Sequence, residues 1–105
     1  MKRWGCPAVL AAFCLLAAEM AAAHSPVFDC FNGEDGQITC EGGFSDGTSA
    51  TGVRVRVLDA NEKVLLEGKI DADGRFTFKK PPVDFHLIFD AGAGHTVTLF
   101  GADIS

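Results

Sequence analysis

Residues 52–81 read GVRVRVLDANEKVLLEGKIDADGRFTFKKP, and two segments of this stretch alternate with period two. In Val53-Arg54-Val55-Arg56-Val57 three valines share one side and two arginines the other. In Arg75-Phe76-Thr77-Phe78-Lys79 two phenylalanines alternate with polar neighbours. That period belongs to a half-buried β-strand, whose successive side chains point to opposite faces. Asp59-Ala60-Asn61-Glu62 and Asp71-Ala72-Asp73-Gly74 separate the segments with turn residues, and Val64 to Lys69 forms the strand between them. Pro81-Pro82 then forbids further sheet pairing.

The same pattern extends in both directions. Val27 to Phe31 and Gln37 to Glu41 read as a hairpin around Asn32-Gly33 and Asp35-Gly36. A Gly-, Ser- and Asp-rich loop from Gly42 to Gly52 follows. Beyond the prolines, Phe85, Leu87 and Phe89 share one face of a sixth strand, with His86, Ile88 and Asp90 on the other. Ala91 to Gly94 is expected as a flexible loop leading into a last strand, His95 to Phe100. No segment sustains a helical period. About seven short strands with regular turns predict an all-β, two-sheet antiparallel sandwich, with a core of Val55, Val57, Phe76, Phe78, Phe85, Leu87 and Phe89.

Residues 1–23 read as a signal peptide. Lys2 and Arg3 precede an apolar run from Pro7 to Ala18, and Ala21-Ala22-Ala23 forms a small-residue cleavage site. Glu19 breaks the run short of the roughly 20 apolar residues that a membrane span needs. Phe13 before Cys14 argues against a lipid-modified cysteine. Cleavage after Ala23 makes His24 the first residue of a periplasmic or secreted chain spanning 24–105. Lys2, Arg3 and Glu19 leave with the signal, so seven basic and thirteen acidic residues remain, a net charge of −6. That sign disfavours nucleic acid and anionic membrane surfaces as partners.

Cys6 and Cys14 also leave, and Cys30 and Cys40 remain. In an oxidising compartment such a pair is a disulfide, and the hairpin between them brings the two sulfurs together. Closing so short a loop contributes roughly 2–3 kcal/mol. A thiolate metal site would call for the shorter C-x-x-C spacing.

The V-x-V strand leading to D-x-D-G-x-F-x-F resembles the transthyretin-like and carboxypeptidase-regulatory-like domains. With the opening HSPVFDCFNGEDGQITCEGGFSDG and the closing FDAGAGHTVTLFGADI, residues 24–105 are similar to a narrower group. These are small periplasmic proteins found with bacterial nickel and cobalt importers of the energy-coupling type. The resemblance implies a transition-metal accessory role beside membrane importer components. It implies no catalysis. In that group D-A-G-x-G-H recurs at this place, which makes His95 a candidate ligand.

The residues add their own chemistry. An amino-terminal His24 offers its α-amine and ring Nδ1 to one ion in a six-membered chelate, and both groups shed protons near neutrality at little cost. His95 would add a third nitrogen. Nitrogen donors suit nickel, cobalt and zinc, and copper is held hardest, so the preference for nickel or cobalt comes from the resemblance. His86 is expected to face solvent from mid-strand, a poorer candidate. Asp29 and Asp90 could give an oxygen ligand or fix a histidine tautomer. Asp71-x-Asp73-Gly74 starts like a calcium loop, yet Lys80 stands where the bidentate glutamate belongs, and a turn is expected. No catalytic triad, phosphate loop or cleft of paired carboxylates can be assembled, so no enzyme is expected. The alternative to metal binding is a metal-free interaction module that docks through its sheet edges.

Overall fold

Asp59 and Asp71 show how the sequence makes its hairpins. Asp71 Oδ1 accepts the backbone N–H of Asp73 and of Arg75, both at 2.9 Å, and Gly74 supplies the positive φ of 79° that the turn needs. Asp59 Oδ1 accepts Asn61 N–H at 2.8 Å and Lys63 N–H at 3.0 Å in the same manner. Both aspartates therefore serve as turn formers, and the calcium-like spacing at Asp71 is a β-turn.

The computed structural model describes residues 24–105. The signal-peptide reading falls on residues 1–23, outside the described residues. Among the described residues are seven strands: β1 (Pro26–Asn32), β2 (Gln37–Phe44), β3 (Arg54–Asp59), β4 (Val64–Lys69), β5 (Arg75–Lys79), β6 (Phe85–Asp90) and β7 (Thr96–Phe100). They form a three-stranded sheet, β1-β2-β5, and a four-stranded sheet, β4-β3-β6-β7. Every pairing is antiparallel.

The two sheets bury their facing sides against each other. Val55, Val57, Leu87 and Phe89 come from one sheet, and Phe28, Ile38, Cys40 and Phe78 from the other; all lie in one core. Phe28 stacks on Phe89 across the interface, with ring centroids 5.0 Å apart. Burying each such side chain contributes about 1.5–3 kcal/mol, so a few of them carry much of a small domain's stability. Phe76, expected in the core, is only partly buried at its margin. Cys30 and Cys40 sit directly opposite in register and are joined by a disulfide inside the core.

Antiparallel pairing sorts the connections to two ends. Asn32 at the finish of β1 donates its N–H to Ser105 O at 3.1 Å, and Lys80 N–H reaches Gly36 O at 2.9 Å. The β1–β2 hairpin, the segment after β5 and the C-terminal tail therefore share one end. The opposite end holds His24, the 45–53 loop, the Asp71–Gly74 turn and the 91–95 turn, because β1 and β7 both start there. β1 also lies against β7 along one side of the sandwich. The chain leading into β1 and the turn leading into β7 thus lie at the same end and on the same side of the sandwich.

Candidate functional site

That corner carries two of the three histidines. His24 precedes β1 by two residues, and its ring is well exposed. The link from Ser25 to Ser45 holds it in place: Ser45 N–H donates to Ser25 O at 2.8 Å, and Ser25 N–H donates to Ser45 Oγ at 3.2 Å. This pair of bonds extends the β1–β2 ladder by one step. It brings His24 Nδ1 to 2.7 Å from Asp46 Oδ2.

Asp46 is a partner that the sequence reading did not single out. It lies in the turn closed by Gly47 N–H to Phe44 O at 2.9 Å, with Gly47 at φ 85°. An aspartate before a glycine in a Gly- and Ser-rich loop carries only a turn signal, and only the register of β1 on β2 shows what it faces. Its other oxygen, Oδ1, accepts the Thr48 backbone N–H at 2.9 Å. The hydroxyl and the backbone N–H of Thr48, together with the nearby His24, hold the Asp46 carboxyl below its usual value of 3.8.

His95 stands one residue before β7. The preceding segment, expected to be flexible, is a tight turn: His95 N–H donates to Gly92 O at 2.9 Å and Ala91 N–H to His95 O at 3.1 Å. Gly92 and Gly94 take positive φ of 110° and 79°, which explains the alternating glycines. His95 Nδ1 lies 3.2 Å from Ala93 O. A carbonyl can only accept, so in the neutral ring this contact favours the tautomer with the proton on Nδ1 and the lone pair on Nε2.

The remaining candidates lie elsewhere or are engaged. Asp90 Oδ1 accepts Gly92 N–H at 3.1 Å, and Oδ2 lies 3.5 Å from Arg56 Nη2. It shapes the turn that presents His95. Asp29 sits between inward-facing Phe28 and Cys30 on the outer side of β1, where Oδ1 accepts Cys30 N–H at 2.9 Å. His86 belongs to the opposite end and is not solvent-facing as expected: its residue is 9% exposed. The β6–β7 register places it beside Phe100, with ring centroids 6.0 Å apart, and Glu62 Oε2 lies 3.5 Å from Nε2. It lines a cavity of about 490 Å³ with Glu62, Asp84 and Phe100.

No group of three or more His, Cys, Asp or Glu converges among the described residues. His24 and Asp46 form a close pair where β1 begins, and His95 lies at the same end of the sandwich without joining them in a ligand group. The chemistry at this end is that of imidazole nitrogen and carboxylate oxygen, with the His24 amine available wherever the chain begins at that residue. No protein-family model matches the chain, and no curated protein or solved structure shows detectable similarity to it.

Proposed function

We propose that the chain is an exported binding protein for a divalent transition ion, nickel or cobalt, which it carries as cargo beside a membrane importer. In this reading the signal peptide is removed after Ala23 and the amine and Nδ1 of His24 chelate the ion. His95 contributes Nε2. The observation that supports it is that β1 and β7 run side by side and begin at the same end of the sandwich, where the Nδ1–H of a neutral His95 turned to Ala93 O would leave Nε2 for a ligand. The donors fit such an ion, since borderline divalent metals accept imidazole and amine nitrogen readily. Nickel and cobalt are preferred to copper through the family resemblance of residues 24–47 and 89–104.

The test is calorimetric titration of the processed protein, its first residue verified by mass, with nickel, cobalt and copper chlorides. Stoichiometric binding that disappears when one extra residue precedes His24 supports the reading. Absence of heat with all three ions removes it.

A second reading, a metal-free interaction module, has its own observation. The outer edges of β4 and β5 are both unpaired, and between them Leu65, Pro81, Pro82 and Val83 line an apolar groove flanked by Lys79 and Lys80. Lys63, Lys69, Lys79 and Lys80 make no ion pair among the described residues. Lysine and proline at sheet edges also discourage indiscriminate strand pairing. A processed protein silent toward metals would leave this reading in place.

A further inference from the structure

The contact between His24 and Asp46 goes beyond a nitrogen-only chelate. Two features make it more than a surface ion pair. One backbone bond, Ser45 N–H to Ser25 O, and one bond from Ser25 N–H to the Ser45 hydroxyl sit next to both residues, so each is delivered to the other as the ladder's next step. The Asp46 carboxylate is also divided in its duties: Oδ1 is committed to Thr48 N–H, while Oδ2 points at the histidine ring. An imidazole nitrogen and a carboxylate oxygen 2.7 Å apart must hold a proton between their lone pairs.

We propose that Asp46 is a metal ligand through Oδ2, completing an amine, imidazole and carboxylate donor set with His24 in which the divalent cation takes the place of the proton now held between Nδ1 and Oδ2. The inference rests on the metal-binding reading above and assigns that site its oxygen donor. The exchange balances simply. A charged α-amine gives one proton to solvent, and the Nδ1 proton passes to Nε2 of a neutral ring or to solvent from an imidazolium. The ion gains two nitrogen ligands and one oxygen ligand, and the carboxylate offsets one of its two charges. Because Thr48 and the serine pair already fix the carboxylate, little ordering remains to oppose binding. His24 and Asp46 are already together in the metal-free protein, whereas His95 forms no group with them there and would have to close onto the ion as it binds.

Asp46→Asn tests this, because the amide oxygen still accepts the Thr48 N–H while the charge is lost. Nickel chloride titrated into the processed variant should bind at least tenfold more weakly than into the parent protein, and cobalt should give an altered visible spectrum. Nickel affinity within threefold of the parent with an unchanged cobalt spectrum overturns the assignment and leaves the His24 chelate standing. No binding by the parent removes the reading beneath it. If the variant does not fold, the parent protein itself decides. Cobalt should broaden the Asp46 side-chain carboxyl carbon signal beyond detection while that of Asp103, at the other end of the sandwich, stays sharp. A sharp Asp46 signal in cobalt-loaded protein overturns the assignment equally.

Discussion

Phe76 covers Gly68 so closely that a Cβ built on the glycine would lie 2.4 Å from Cε1 of the ring. β5 and β4 belong to different sheets, so this is one of the places where the sandwich is closed along its open side. A glycine inside a strand otherwise weakens it, and the close ring supplies the reason for having one here.

Gly68→Ala should therefore destabilise the fold although alanine suits a strand better than glycine. The ring must move or the sheets must part, which costs roughly 1–3 kcal/mol. Urea unfolding followed by circular dichroism should show a lower midpoint with an unchanged slope. Equal or greater stability would mean that Phe76 can swing aside freely.

Replacing Cys30 and Cys40 together by alanine should lower stability by roughly 2–3 kcal/mol, since their bond closes a short loop of the unfolded chain. Both residues lie in the core, so small apolar substitutes keep the added loss to that of the deleted sulfurs. The same double variant should leave the ladder from Ser25 to Ser45 intact, because β1 and β2 stay paired along their whole length. Comparison of the oxidised, reduced and substituted proteins in urea separates the cross-link from the packing.

Most of the fold was legible because period-two alternation and Asp–Gly turns are local signals. Alternation alone places Val55, Val57, Phe78, Phe85, Leu87 and Phe89 in the core, and all are buried. Ile38 and Ile70 are also buried, yet each stands between polar residues, and Phe28 is buried beside an exposed Val27, so that only the packing of the two sheets shows which of them is covered. The burial of His86 escapes the sequence for a related reason. Its outward face is roofed by Phe100, fourteen positions on, and no periodicity within β6 reports a neighbour that arrives through β7. Asp46 left no trace beyond a turn because its partner lies across a β1–β2 ladder longer than the hairpin read from sequence.

Thr48 should set the acidity of Asp46. Its hydroxyl and N–H favour the carboxylate, so the folded value lies below 3.8. A group depressed in this way adds stability above its unfolded value and loses that contribution as pH falls through the folded one. Thr48→Ala removes the hydroxyl and keeps the backbone bond, so the Asp46 carboxyl should move back up toward the ordinary range. Carbon-detected NMR titration of the metal-free protein between pH 2 and 6 reads this directly. An unchanged midpoint would show that the hydroxyl plays no part.

The two internal histidines should separate function from packing. His95 lies at the same end of the sandwich as His24, with Nδ1 turned to Ala93 O, whereas His86 is buried at the far end beside Phe100 and Glu62. If the ion is held as proposed, His95→Ala removes a donor and should weaken nickel binding by tenfold or more, with little loss of stability from so exposed a turn. His86→Ala removes a buried ring from the sheet, so it should lower the unfolding midpoint and leave nickel affinity untouched. Calorimetry and urea unfolding of both variants give four numbers with opposite expected patterns. Weakened nickel binding in His86→Ala, with full binding in His95→Ala, would move the site to the cavity beside Glu62 and Asp84 and refute the corner assignment.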